Sequence, residues 1–253
     1  IHERLVGSEM CIRDRFYANK ESIESLYNGK VDDIGNKWFI GHPINVHYDY
    51  EKIGIWQNTS EDLAEMEEFN KNGANFKSGD IKIWDNGDKK ITEADRKILG
   101  STSPKFIASM VNSISYKGFD FSIFLYASVG AMLNNNIEYL NKPGRANSIV
   151  IDYWTPTNPT NAYPRPSVDN ASPAYVKSLQ YEKADFIRVR NITLGYTLPE
   201  KLLKKIRARK IRVYLSANNP FVITGFSGID PEGARGYTAP SASTWMGGVN
   251  LSF

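Results

Sequence analysis

The sequence predicts an all-β fold: an antiparallel transmembrane β-barrel with long extracellular loops, of which these 253 residues form only a part. Three observations carry that expectation: runs of two-residue alternation as long as a barrel strand, connections that alternate between short and very long, and a composition without membrane helices. Hydrophobic residues make up 41% and charged residues 23%, too apolar for a disordered chain. No stretch approaches the roughly 18–20 consecutive apolar residues that a spanning helix needs. A barrel strand needs only about 9–11 residues with alternate positions apolar, and its polar lumen face lowers the average hydropathy. With 31 Lys+Arg against 28 Asp+Glu the formal charge is +3, a near-neutral balance. The one cysteine, Cys11, cannot close an internal disulfide, which excludes a disulfide-stapled secreted module.

Residues 1–15 lack a basic segment followed by a long apolar core, so they do not read as a signal peptide. They contain SEMCIRDR, which resembles translated sequencing-adaptor sequence, and we read 1–15 as a non-native leader. Residues 16–103 read as a barrel or extracellular-loop region, and residues 104–253 as barrel strands with their loops. Within the former, EDLAEMEEF reads as a short helix with its carboxylates toward water.

From residue 106 the period is two. FIASMVNSISY puts Phe106, Ala108, Met110, Ile114 and Tyr116 in phase, and FDFSIFLYASVG does the same for Phe119, Phe121, Ile123, Leu125, Ala127 and Val129. Lys117-Gly118 between them predicts a tight hairpin turn. In 185–197 the apolar parity moves from Ile187 and Val189 to Ile192, Leu194 and Tyr196, so a bulge is expected near Arg190-Asn191. IRVYLSANN (211–219) alternates again, and the chain closes with Val249, Leu251 and Phe253 in phase. That makes about five strands after residue 104.

The connections run short (117–118), very long (131–183), moderate and basic (198–210), then long (225–244). Transmembrane barrels alternate in this way, with short periplasmic turns and longer outer loops. The long loops carry NKPGRANS and WTPTNPTNAYPRP, which favour turns over helix. Five strands cannot close a large barrel, and an open sheet leaves edges that lipid cannot satisfy, so further strands are expected upstream.

ADFIRVRNITLGYTLPEKLLKK, IRVYLSANNPFVITGFSGIDPE and GGVNLSF together resemble the C-terminal part of SusC/RagA-type TonB-dependent outer-membrane transporters. WFIGHPINVHYDYEKIGIWQ, GDIKIWDNGDKKITEADRKILGSTSPKF and YWTPTNPTNAYPRP extend the resemblance over about residues 37–253. The resemblance implies a barrel of about 22 strands, a size associated with plugged transporters. It further implies an N-terminal plug, a SusD-like surface lipoprotein, energy from a TonB complex and import of an oligosaccharide or peptide. Plug, TonB box and first strands are missing from these residues, so the chain is expected to be a fragment that transports nothing alone. The contrasting reading is a secreted soluble β-rich module that binds carbohydrate.

DNGDKKITEAD is the one metal-like motif. Hard cations such as calcium take six to eight oxygens, and Asp85, Asn86, Asp88 and Asp95 offer some, with Gly87 for the turn. Two departures stand against it: a residue is lost between Asp85 and Asn86, and Lys89 stands where a glycine is expected. The alternative is an Asx-rich turn. His42 and His47 stand five apart in an extended stretch, on opposite sides of a strand, which does not suit zinc. There is no nucleophile elbow, HExxH, CxxC or phosphate loop, and nothing asks for an enzyme. The basic run PEKLLKKIRARKIR lacks the interleaved aromatic side chains that stack bases, so it reads as a solvated, partly helical turn and not a nucleic-acid site. Aromatic residues make up 12%, in part as interfacial girdles. Trp154, Tyr153 and Tyr163 in the longest loop, and Trp56, are candidate sugar-stacking residues; otherwise they hold the loops together.

Overall fold

Alternation becomes pairing in one six-stranded antiparallel sheet. The computed structural model describes residues 8–135, 150–166, 173–206, 208–232 and 241–252. In chain order the elements are β1 (Ser8–Tyr17), β2 (Val46–Tyr50), β3 (Lys52–Ile55), α1 (Ser60–Lys71), β4 (Ile81–Ile83) and β5 (Arg96–Ser101). Then follow β6 (Phe106–Tyr116), β7 (Phe119–Val129), β8 (Met132–Asn134), β9 (Tyr181–Lys183), β10 (Phe186–Thr197), α2 (Glu200–Ile206), β11 (Lys210–Thr224) and β12 (Thr244–Ser252). The large sheet runs β1-β6-β7-β10-β11-β12, so the suspected leader supplies most of one edge strand. The pairs β2-β5, β3-β4 and β8-β9 stand apart from it.

The expected hairpin joins β6 to β7, with Lys117 at φ 46 and Gly118 at φ 86. Two positive φ angles in a two-residue loop match the right-handed twist of the flanking strands. The expected bulge is present too: the ladder slips between Val189 and Asn191 on β10. Its partner β11 does not stop at Asn219 but continues to Thr224. Asn219 turns left-handed at φ 49, and Pro220, which has no N–H to donate, falls inside the irregularity and costs no ladder bond.

All long connections leave the sheet at one end. The register places Tyr17, Phe106, Val129, Phe186, Thr224 and Thr244 together, so the links 18–105, 130–185 and 225–243 share that end. The hairpin and the α2 connection lie at the other end. There the basic run is helical over Glu200–Ile206, with Leu203 buried.

The two clusters of buried hydrophobic side chains sit among the long connections; on the large sheet itself Phe186 and Ala217 are the buried hydrophobic residues among those described. Trp56, Met66, Phe69 and Phe76 form one cluster and Ile55, Ile81, Ile83 and Trp154 a second, with Ile91 and Tyr175 packed against both. Helix α1 starts where Thr59 accepts a bond from the Asp62 amide at 3.2 Å. It buries Met66 and Phe69. Its carboxylates are not all solvated as expected: Asp62 and Glu65 both hold Lys82, at 2.8 and 2.6 Å, whose ammonium caps the Trp56 ring. Burial of that indole draws the lysine in and the acids with it. Phe253 and the NKPGRANS stretch lie outside the described residues.

Candidate functional site

The two faces of the large sheet differ in chemistry. On one, Leu215, Leu194, Phe121, Ile114 and Met10 stand directly opposite one another across five successive strands. Leu215, Leu194, Ile114 and Met10 are 53, 51, 43 and 46% exposed, with Val213, Val249 and Leu251 as open beside them. An apolar band of that width facing outward is what a soluble fold avoids. On the other face polar groups satisfy each other. The Thr193 and Ser216 hydroxyls lie 2.8 Å apart, Asn191 donates to Asn218 at 2.8 Å, and Ser113 donates to Ser122 at 3.2 Å. Arg212 crosses this face to Asp120, its Nε donating at 2.9 Å. It passes over Gly195, where a Cβ would sit 2.5 Å from Arg212 Nη2.

Near the long-connection end, β10 carries a buried guanidinium. The Arg188 side chain is 3% exposed; its Nη2 donates to Asp230 at 2.5 Å and its Nε lies 3.1 Å from a Glu232 oxygen. Arg190, in the bulge, pairs with the same Glu232. Asp230 also accepts the Ser241 amide at 2.9 Å and hydroxyl at 2.6 Å. Burial alone would raise the Asp230 carboxyl, but the Ser241 and Glu232 donors and the Arg188 charge together hold it below the usual carboxylate range. The 225–232 segment is thereby pinned to the sheet.

The metal-like motif folds into a tight acidic turn. One carboxylate oxygen from each of Asp85, Asp88 and Asp95 falls within 4.8 Å of the others. Asp95 is fully buried and accepts from the Asn86 amide at 3.0 Å and the Thr92 amide at 2.7 Å. Asn86 turns its side-chain oxygen to the Asp88 amide, and Asp85 Oδ2 accepts from Gly87. The second Asp85 oxygen, Oδ1, is buried without a hydrogen-bond partner, so the group fits a hard cation. Lys89 has φ 57, the left-handed geometry for which glycine is expected there. Its ammonium leaves the carboxylates for Glu65, at 2.7 Å.

Two of the aromatic candidates are structural. Trp56 is 1% and Trp154 5% exposed, so neither indole offers a face to a sugar; both are drawn into the core by their size and apolar area. Trp154 donates to Gln57 at 2.7 Å and lies against Gly79, where a Cβ would meet its ring at 2.4 Å. Tyr153 is 46% exposed and bridges through its backbone to Tyr163.

No protein-family model matches the sequence. Curated proteins and solved structures do. Over 196 residues, 76% of the chain, it is 33% identical to TonB-dependent receptor P3 of Formosa agariphila. Over 250 residues it is 28% identical to the TonB-dependent receptor SusC of Bacteroides thetaiotaomicron. Its fold superposes on the RagAB peptide importer in the open-open state over 100% of its length, with TM-score 0.72 and 24% identity. The RagAB peptide transporter gives 0.73 at 23% identity.

The chain matches SusC/RagA-like TonB-dependent receptors.

The match is partial: this SusC/RagA-like chain spans 19% of P3, 23% of SusC and 27% of the open-open RagAB chain. Sequence reading of the SusC/RagA-like chain missed the Arg188 clamp and the Arg212–Asp120 crossing. The signal was available as charged residues inside otherwise alternating strands, each needing an opposite charge brought from a distant segment.

Proposed function

We propose that this chain is the closing sector of a roughly 22-stranded outer-membrane β-barrel, from a TonB-dependent receptor that imports oligosaccharides or peptides. One observation carries the reading: the six-stranded sheet leaves its apolar face open along its width while the polar groups of its other face pair with one another and with the 225–232 segment. Lipid is the solvent in which that face is stable, because exposed apolar side chains then lose nothing; backbone groups inside the sheet are paired, and the free edges of β1 and β12 are left for further strands of the longer receptor. All long connections would then stand outside the cell, with the hairpin and α2 in the periplasm. Residues 16–103, with the loops of 104–253 that pack on them, would form the outer body, and the strands of 104–253 most of the wall.

A SusD-like lipoprotein would cap the outer body, and the TonB complex would act through the upstream part. Tyr153 and Tyr163 are the aromatic candidates left for ligand, and Asp85, Asp88 and Asp95 would hold calcium to fix the outer turn. No residue is assigned a catalytic role. The soluble carbohydrate-binding module gains no support, since nothing among the described residues covers the apolar face.

The test is solvent dependence together with location. The longer receptor should fractionate with outer membrane, require detergent, and shift mobility on heating as folded barrels do. A chain that purifies monodisperse in water without detergent overturns the proposal.

A further inference from the structure

A cleft in the outer body joins aromatic walls to an excess of positive charge, three cations against one lining carboxylate. It measures about 450 Å³ and is lined by Lys37, Tyr48, Tyr50, Arg96, Tyr175 and Lys177. That lies within the roughly 300–1,000 Å³ typical of small-ligand sites. Lys37 and Lys177 have no ion-pair partner among the described residues. Arg96 lies over the Tyr50 ring and near Asp49, and its one ion pair among the described residues is with Glu93, which is 82% exposed; an ion pair so open to water is weak. Its Nε is buried with no acceptor, which is costly to leave unmet. The one carboxylate on the lining, Asp49, is already engaged by the Tyr50 amide at 2.9 Å and the Tyr181 hydroxyl at 2.9 Å.

The rim is held in backbone geometry that residues with side chains seldom adopt. Lys37 has φ 60 and Tyr175 has φ 61. The first is fixed by a turn in which Asp33 accepts from Asn36 and its backbone pairs with Trp38; the second by Ser178, whose hydroxyl donates to the Tyr175 carbonyl at 2.7 Å. Such geometry persists where surrounding bonds over-determine it, and it clusters at ligand sites.

We propose that this cleft binds a carboxylate-bearing oligosaccharide, the acid on Arg96, Lys37 and Lys177 and the sugar rings against the tyrosines. Guanidinium matches a carboxylate with two parallel donors, and flat aromatic faces take the apolar side of a sugar ring. The proposal rests on the receptor reading only for placing the cleft on the ligand side of the membrane.

The test is calorimetric titration of the longer receptor in detergent with trigalacturonate, maltotriose and triglutamate. Trigalacturonate should bind, and raised salt should weaken it. The pair Lys37→Gln with Lys177→Gln should lower affinity about tenfold, with Lys→Arg at both positions restoring most of it. The outer body's melting, followed in parallel, should not move in either variant. No binding of trigalacturonate, equal binding of maltotriose, unchanged affinity in the glutamine pair, or triglutamate binding as tightly at the same residues would each overturn the assignment. A detergent-independent protein that still binds trigalacturonate would sink the barrel and leave the cleft standing.

Discussion

Arg212 and Asp120, two strands apart, are joined across the backbone of Gly195: Arg212 Nε donates to Asp120 Oδ1 at 2.9 Å, and the strand between them has no side chain in the way. An added Cβ would stand 2.6 Å from the carboxylate as well as 2.5 Å from the guanidinium. Gly195→Ala should therefore break the pair, and should cost little more in a background that already carries Asp120→Ala. Temperature of the heat-induced mobility shift in the double-mutant cycle measures this coupling. Additive losses would show that the glycine serves another purpose.

Placing charge on the open apolar face tests the lipid solvent directly. Leu194→Arg should destabilise the barrel by about 2–4 kcal/mol if that row lies near the bilayer midplane. Ser122→Arg on the opposite face should be far milder. Refolding into vesicles along a urea series compares the two, and equal losses would count against the assignment of faces.

Trp154 is held by burial, a hydrogen bond to Gln57 and contact with Gly79. Trp154→Ala should lower the stability of the outer body by about 3–5 kcal/mol, from lost burial and the cavity left behind. Trp154→Phe should lose about 1 kcal/mol for the Gln57 bond plus a smaller packing term. Limited proteolysis of residues 16–103 reads both. A resistant alanine variant that instead loses sugar binding would return the indole to the ligand.

Calcium should raise the thermal midpoint of the outer body at millimolar concentration, and Asp88→Asn should abolish that rise with little effect in metal-free buffer. Asp95→Asn should destabilise in either buffer, because Asp95 also holds the Asn86 and Thr92 amides. Scanning calorimetry with and without chelator separates the two, and a midpoint indifferent to calcium removes the metal.

The clamp around Arg188 predicts an acid response. Burial opposes it, but hydrogen bonds and the Arg188 charge leave the folded Asp230 carboxyl below its ordinary value. A lowered carboxyl adds stability that is present above the unfolded value, about 3.9, and is lost as pH falls through the lower folded one. Protease sites in 225–244 should thus open only below about pH 4, and Asp230→Asn should open them at neutral pH. Cleavage independent of both would show that the segment is held elsewhere.

How far the sequence reached depends on whether its signals were local. The hairpin, the bulge and the apolar parity were legible because each follows from neighbours one or two residues away: Lys117-Gly118 admits positive φ, and the parity slip at Arg190 needs an extra residue. The end of β11 was not, since Asn219-Pro220 reads as a strand stop until its partner strand supplies a bulge to absorb it. For Trp56 and Trp154 the sequence leaves two roles open, stacking on a sugar or holding the loops together, because nothing local says which way a loop indole faces. Their burial depends on contacts between residues 55–83 and 154, far apart along the chain. The acidic turn was half legible, its residue types from spacing and its gathering only from the fold.

The Arg188 clamp also sets where this region can drift over evolutionary time. Removing Asp230 or Glu232, or shifting their spacing from Phe226, would strand a guanidinium that is 3% exposed, a loss of about 3–5 kcal/mol. Insertions between Phe226 and Glu232 should therefore be rare among homologous genes, while those just after Glu232 accumulate freely. The connection that follows Glu232 can then lengthen without loosening the strands beneath it.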